Sequence, residues 1–213
     1  MLLYCGTSSL IGLARLGLAP SSIDQVLVSH LHGDHFGGIP FLVLDQQFAR
    51  RDRPLVLVGP PGLGNRVMQA MEVFFPGSSQ VERRFELQTF ELSERVPTAV
   101  GALEVMAYPV AHASGAPSYG LRVVCDDRIV AYSGDTEWTD ALIELADGAD
   151  LFICEAYVFE TSVKYHLSYA TLAEQRSRLR CKRLVLTHTS ADMLKRRGEV
   201  EAKVAEDGLT LTI

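Results

Sequence analysis

The stretch "VSHLHGDHFGG", residues 28–38, contains three of the six histidines of the chain and one aspartate within six consecutive residues. Alternate residues of such a stretch point in different directions, so His30 and His32 can bind one metal ion while Asp34 and His35 bind a neighbouring one. Nitrogen and oxygen ligands of this mixture suit zinc, manganese or iron(II), and no cysteine lies here to favour a softer metal. The stretch therefore predicts one half of a two-metal site.

The other half is expected at the ends of further predicted strands, where a rigid sheet presents side chains at one edge. His112, Asp135 and His188 each follow such a strand. The two oxygens of Asp135 can bridge two ions about 3.5–4 Å apart, a spacing that activates water near neutral pH. Each ion then takes three further ligands: His30, His32 and His112 for the first, and Asp34, His35 and His188 for the second.

Short β-rich runs alternate with amphipathic segments along the chain, and residues 85–133 are predicted to form consecutive strands joined by turns such as 125–128. Helices return on both sides, the last one predicted over 191–206 before a final strand over 209–213. Sheets packed face to face with helices outside explain this mixture better than one doubly wound sheet. Since no repeat or linker is found, we predict one domain over 1–213.

The ordered set of ligand-type residues resembles the metallo-β-lactamase-fold hydrolases, in which HxHxDH is followed by a lone His, a lone Asp and another lone His. The resemblance runs from about Leu2 to the last predicted strand. It implies an α+β fold, an αββα sandwich of two mixed β-sheets with helices on the outer faces. It also implies two divalent metal ions, with zinc favoured over manganese or iron, and attack by a metal-bound hydroxide.

Within that superfamily the chain is most similar to the ribonuclease Z and phosphodiesterase branch. The segment "SGDT", residues 133–136, follows a strand, and "ICEAYVFETSVKYHLSYATLAE", residues 153–174, resembles the stretch in which an acid precedes a catalytic histidine. This implies that Glu155 orients His166, which gives a proton to the leaving oxygen or stabilises charge on the phosphoryl group, and that Asp34 belongs to the same machinery. From the residues alone, Glu155 could equally pair with Lys164, and His166 could be a capping residue.

The chain departs from the family pattern at its amino terminus. Family members open with two additional strands, and the third ends in an Asp-Cys-Gly turn, whereas this chain begins at that third strand with the turn Tyr4-Cys5-Gly6. The departure predicts an exposed sheet edge. Because the missing aspartate normally steadies the metal ligands, it also predicts incomplete metal occupancy. The exposed apolar start favours a homodimer.

Charge and composition restrict the expected partners. A formal net charge of −6 argues against a chain that grips nucleic acid by bulk electrostatics. Without the long arm by which ribonuclease Z holds tRNA, we predict a small-molecule substrate and no role in tRNA processing. No apolar run is long enough to span a membrane, and no signal peptide opens the chain, so no membrane partner is expected. Four scattered cysteines in a chain of this length favour a reducing cytoplasm.

These observations lead to a metal-dependent hydrolase that acts on a small phosphodiester. Hydrolysis of a carboxylic ester, a thioester or a lactone is the alternative activity, because one fold can host several chemistries. A third hypothesis is a catalytically idle metal-binding module, or a subunit that completes its sheet with the edge strand of a partner.

Overall fold

Two β-sheets, each accompanied by helices, make up the chain in the computed structural model, which describes residues 1–213. The amino-terminal unit comprises residues 1–92 and 114–116, and the carboxyl-terminal unit comprises residues 93–113 and 117–213. Two sheets with helices confirm the predicted α+β class. None of the helices combines the length and apolar composition needed to cross a bilayer. A single domain over 1–213, a homodimer and a cytoplasmic location stay predictions.

The amino-terminal unit contains a four-stranded sheet in the order β1-β2-β3-β4. Its elements are β1 (Leu2–Leu3), α1 (Ser9–Arg15), β2 (Gln25–Leu27), α2 (Gly33–Phe36), α3 (Ile39–Phe48), β3 (Leu55–Gly59), α4 (Leu63–Phe74) and β4 (Leu87–Glu91). This sheet is parallel throughout rather than mixed as expected. Helices connect its successive strands, and a helical crossover returns the chain in the same direction.

Strands β2 and β3 are central to this sheet, and their apolar residues fill the core of the unit. Val26, Leu27, Leu55 and Leu57 are fully buried. Near-continuous apolar runs of this kind are typical of parallel strands that are covered on both faces. The same two strands therefore fix the backbone just ahead of residues 28–38.

The carboxyl-terminal unit contains a seven-stranded sheet in the order β11-β10-β9-β8-β7-β6-β5. Its elements are β5 (Thr98–Val100), β6 (Leu103–Pro109), β7 (Tyr119–Cys125), β8 (Arg128–Tyr132), α5 (Ala141–Ala146), β9 (Leu151–Glu155), α6 (Tyr169–Gln175), β10 (Leu184–Thr187), α7 (Ala191–Lys195) and β11 (Lys203–Val204). Pairing is antiparallel from β5 to β8 and parallel from β8 to β11, so this sheet is mixed as predicted.

The turn between β7 and β8 explains why the antiparallel part is a tight meander. Asp126 and Asp127 have φ angles of 48° and 62°, both in the left-handed region. Two central residues with positive φ form the hairpin turn whose twist matches that of the flanking strands, and aspartate tolerates it better than most residues. The predicted turn at 125–128 is confirmed.

The end of the chain differs from the prediction of one long helix. Helix α7 ends at Lys195, a short 3₁₀ turn covers Arg197–Glu199, and β11 then pairs in parallel with β10. Gly198 lies inside the predicted helix and lowers its stability. The strand expected over 209–213 does not form, and the place beside β10 at this edge is taken by Lys203–Val204.

Phe152 lies at the centre of the carboxyl-terminal core, fully buried in β9 between Ala131 of β8 and Leu184 of β10. We expect Phe152→Ala to lower the free energy of unfolding by about 3–5 kcal/mol, because a cavity replaces a buried ring. Urea denaturation measures this change. Phe48→Ala removes the same atoms from a side chain that is 83% exposed, and should change the free energy by less than about 0.5 kcal/mol. Equal losses would contradict this assignment of the core.

Candidate metal centre

Residues 30–35 bring their four ligand-type side chains into one cluster within the amino-terminal unit. The His30 ring is 4.9 Å from that of His32 and 4.0 Å from that of His35, measured between centroids. Asp34 Oδ2 lies 3.5 Å from His35 Nε2. The rings of His30 and His35 are buried, whereas the Asp34 carboxylate is exposed. Three imidazoles and a carboxylate in this arrangement offer both nitrogen and oxygen ligands.

Close backbone contacts hold this cluster against Cys5 and Gly6, which follow β1. The Cys5 N–H donates to His35 O (2.7 Å), and the Gly38 N–H donates to Cys5 O (2.8 Å). A Cβ atom at Gly38 would lie 2.1 Å from Gly6 O, and one at Gly6 would lie 2.1 Å from Asp34 O. Both distances are far below van der Waals contact with backbone, so both positions require glycine. The backbone of Asp34 and His35 is thereby fixed.

Neither Tyr4 nor Cys5, which precede Gly6, offers a thiolate to a metal ion. Burial raises the pKa of the Cys5 thiol to about 12, so Cys5 is protonated at neutral pH and is a poor metal ligand. Tyr4, where the family resemblance predicts an aspartate, has its ring 5.5 Å from that of His35, between centroids. Tyr4 has a φ angle of 52°, a conformation that is uncommon for a residue with a side chain.

In the carboxyl-terminal unit, three neighbouring parallel strands deliver polar side chains to one edge of the sheet. Asp135 follows β8, Glu155 ends β9 and His188 follows β10. Asp135 Oδ2 lies 3.4 Å from His188 Nε2, and Glu155 Oε2 lies 3.4 Å from His188 Nδ1. His188 has a φ angle of 52°, a strained backbone conformation for a non-glycine residue. The imidazole is therefore held between two carboxylates, one at each ring nitrogen.

Glu155 also contacts His166, and this contact decides between the alternatives left open above. Glu155 Oε2 accepts a hydrogen bond from His166 Nδ1 (3.1 Å), and Oε1 accepts one from the Thr136 N–H. The Lys164 ammonium instead lies over the Tyr165 ring, 4.6 Å from its centroid. The cap of α6 is Ser168, whose Oγ accepts the Thr171 N–H. The hydrogen bond to Glu155 raises the pKa of His166.

His112 is oriented by a chain of contacts that the sequence did not indicate. Its Nδ1 lies 2.9 Å from Tyr165 O, and because a carbonyl can only accept, Nδ1 carries the proton and Nε2 is left as the ligand atom. The Tyr165 N–H donates to Glu137 Oε1 (2.6 Å). The Glu137 N–H in turn donates to Ala111 O (3.1 Å), next to His112. The one sequence signal for Glu137 is a second acid just after Asp135.

These imidazole and carboxylate side chains fit divalent metal ions as ligands. One atom each from His112, Asp135 and His166 lie within 4.8 Å of one another, and the same holds for Glu155, His166 and His188. Imidazole nitrogens and carboxylate oxygens at such spacing are the ligands of zinc and manganese. Every predicted site residue thus lies in one of two clusters, each within its own unit. The amino-terminal cluster holds His30, His32, Asp34 and His35, and the carboxyl-terminal cluster holds His112, Asp135, Glu155, His166 and His188.

Comparisons with known proteins place the chain among relatives over nearly all of its length. The family model "Beta-lactamase superfamily domain" matches residues 5–189. A ribonuclease Z of Anoxybacillus flavithermus is 26% identical, covering 97% of this chain and 81% of the relative. An uncharacterised protein of Mycobacterium leprae is 33% identical, covering 89% of this chain and 67% of the relative. The crystal structure of human tRNase Z, short form, superposes with a TM-score of 0.78 at 27% identity, covering 99% of this chain and 87% of that one.

Glu137 is predicted to be a positioning residue for His112. We expect Glu137→Ala to weaken zinc binding by about tenfold, because the loop that carries Tyr165 O loses its anchor and outer contacts of metal-binding histidines contribute 10–100-fold. Competition with a chromophoric chelator measures this affinity. Glu137→Gln keeps an oxygen that accepts the Tyr165 N–H and should restore most of it. If both variants bind zinc as the wild type does, Glu137 does not position His112.

Proposed function

Since this chain belongs to the beta-lactamase superfamily and is a metal-dependent hydrolase of its ribonuclease Z-like branch, we propose that it hydrolyses a small phosphodiester with two divalent metal ions. The predicted family resemblance and enzyme class are confirmed by these matches. One observation carries the proposal of a phosphodiester: His166 is held by a buried carboxylate at Nδ1, within 4.8 Å of candidate ligand atoms. A proton donor beside a metal site suits a reaction in which an alkoxide must leave.

The proposed ligands are those predicted from the spacing of histidines and aspartates along the sequence. His30, His32 and His112 would hold the first ion, Asp34, His35 and His188 would hold the second, and Asp135 would serve both. The mixture of imidazole and carboxylate favours zinc, with manganese or iron as the alternatives. When bound, two such ions polarise the phosphoryl group and acidify water near neutral pH.

The protein's own side chains then determine which oxygen leaves. Glu155 accepts from His166 Nδ1, so the proton that His166 can donate is the one on Nε2. We assign that proton to the leaving oxygen of the substrate. Glu155 is fully buried, and its second oxygen is held by the Thr136 N–H. The orientation of the imidazole therefore does not depend on the substrate being bound.

Loss of His166 should depend on the leaving group. We expect His166→Ala to slow cleavage of a dinucleotide, whose alkoxide needs a proton, by about 100-fold. Cleavage of bis(p-nitrophenyl) phosphate should slow by less than about tenfold, because nitrophenolate leaves without protonation. Steady-state rates with added manganese or zinc measure both effects.

Two further variants serve as controls for this experiment. Asp34→Ala removes a proposed ligand and should lower metal content and both rates together, whereas Asp52→Ala, at an exposed aspartate, should lower neither. If His166→Ala affects both substrates equally, His166 is not the proton donor. Turnover of a thioester or lactone that survives His166→Ala, without any phosphodiester turnover, would favour the alternative activity. A wild-type chain that binds metal and turns over none of these substrates would be the idle module.

Cleavage of tRNA precursors is a second candidate function, because the relatives favour it. The prediction of no role in tRNA processing rests on the net charge of −6 and on the lack of a holding arm. Ribonuclease Z and tRNase Z relatives that match 97–99% of the chain argue against excluding it. Bulk charge is weak evidence here, because metal ions at the site and a local basic patch can offset it.

A precursor tRNA with a 3′ extension discriminates between the two substrates. We expect the chain to cleave it more than about 100-fold less efficiently, in kcat/KM, than a dinucleotide, because without the holding arm it gains little binding energy from the body of the tRNA. Gel analysis of the labelled precursor measures the rate, and Asp34→Ala excludes a contaminating nuclease. Cleavage of the precursor with higher efficiency than the dinucleotide would replace the small phosphodiester by tRNA as the substrate.

A further inference from the structure

A cavity lies in the carboxyl-terminal unit, away from the strand ends that carry the candidate ligands. It has a volume of about 590 Å³ and is lined by residues of α6, of the start of β10 and of β11. Leu184, which lines it, is the first residue of β10, and His188 comes directly after the last residue of the same strand. The cavity and His188 are therefore at opposite ends of β10.

The floor of this cavity is apolar and is closed on one side by a hydrogen bond. Leu172 and Leu184 are buried, and Tyr169 and Ala202 are partly buried beside them. The Tyr169 hydroxyl accepts the Glu201 N–H (3.0 Å), which ties the segment entering β11 to α6. A flat or apolar group would cover this floor and release water from it.

The rim carries four cations and one carboxylate. These residues are Arg176, Lys182, Arg183, Lys203 and Glu201. Such a concentration of positive charge is unusual in a chain with a net charge of −6, and it creates a local field that attracts anions.

Neighbouring carbonyl groups hold the two arginines without neutralising them, whereas a carboxylate neutralises one lysine. One guanidinium nitrogen of Arg176 donates to Leu179 O (2.8 Å), and one of Arg183 donates to Thr212 O (2.9 Å). Lys182 is paired with Asp150 (2.7 Å). Carbonyl contacts fix each guanidinium but leave its charge and its other N–H groups for a ligand.

We propose that this cavity binds a small phosphorylated molecule with a flat organic body, of the nucleoside monophosphate class. Arginine N–H groups match phosphate oxygens in geometry and charge, and the leucine and tyrosine floor accepts the flat body. The volume lies within the usual range of small-molecule sites. The site is separate from the metal centre and does not require the hydrolase to turn over the same compound.

Calorimetric titration of chelator-treated protein with adenosine monophosphate tests this assignment, because removing metal excludes binding through the metal centre. We expect saturable binding that is tighter than binding of inorganic phosphate and weakens as salt is added. The double variant Arg183→Glu with Lys203→Glu should bind about tenfold more weakly, because two attractive contacts become repulsive. The control double variant Lys195→Glu with Arg15→Glu makes the same change of charge at two exposed positions outside the cavity, and should stay within about twofold of wild type.

Three results would overturn the proposal. One is a lack of saturable binding at millimolar adenosine monophosphate. Another is an equal loss of affinity in the control double variant and in the double variant at the cavity, which would indicate bulk electrostatics alone. The third is inorganic phosphate binding as tightly as adenosine monophosphate, which would leave the apolar floor without a role. Circular dichroism of each variant verifies that a loss of binding is not a loss of fold.

Discussion

The buried carboxylate of Glu155 is the group on which the carboxyl-terminal cluster depends. It is fully inaccessible to solvent, and burying a carboxylate costs several kcal/mol unless donors surround it. Two hydrogen bonds reach it, from the Thr136 N–H after β8 and from His166 before α6, and His188 Nδ1 after β10 lies 3.4 Å from it. Removing any of these would leave charge uncompensated, so the same requirement that stabilises the strand ends also orients two imidazoles.

A steric constraint has the corresponding role in the amino-terminal cluster. Gly6 and Gly38 allow two backbone segments to approach within distances that any Cβ would block. This approach allows two hydrogen bonds to Cys5 that fix the backbone at His35 and at Gly38. A carboxylate network and a glycine contact are different devices, yet each holds ligand-type side chains on rigid backbone, as a metal site requires.

The parts of this structure that could be predicted from sequence are those that depend on local pattern. His30, His32, Asp34 and His35 are adjacent in the chain, and Asp135 and His188 follow strands whose parallel pairing brings their carboxyl ends to one edge. Glu137 and Tyr165 could not be identified in this way, because a carbonyl oxygen 53 residues away from His112 is a product of tertiary folding. The long predicted helix over 191–206 failed for a related reason: pairing of Lys203–Val204 with β10 overrides local helix preference.

The charge of the two ends of the carboxyl-terminal unit explains how an acidic chain can act on anions. One end of the sheet gathers Asp135, Glu137 and Glu155, and carboxylates there would repel a phosphodiester. Divalent cations reverse the sign of the field at that end, so substrate attraction and metal binding become one requirement. The other end gathers arginines and lysines around an apolar floor and attracts anions without metal. Recognition of phosphate, as proposed for both ends, would therefore rely on the local arrangement of charge, for which the net charge of −6 is a poor guide.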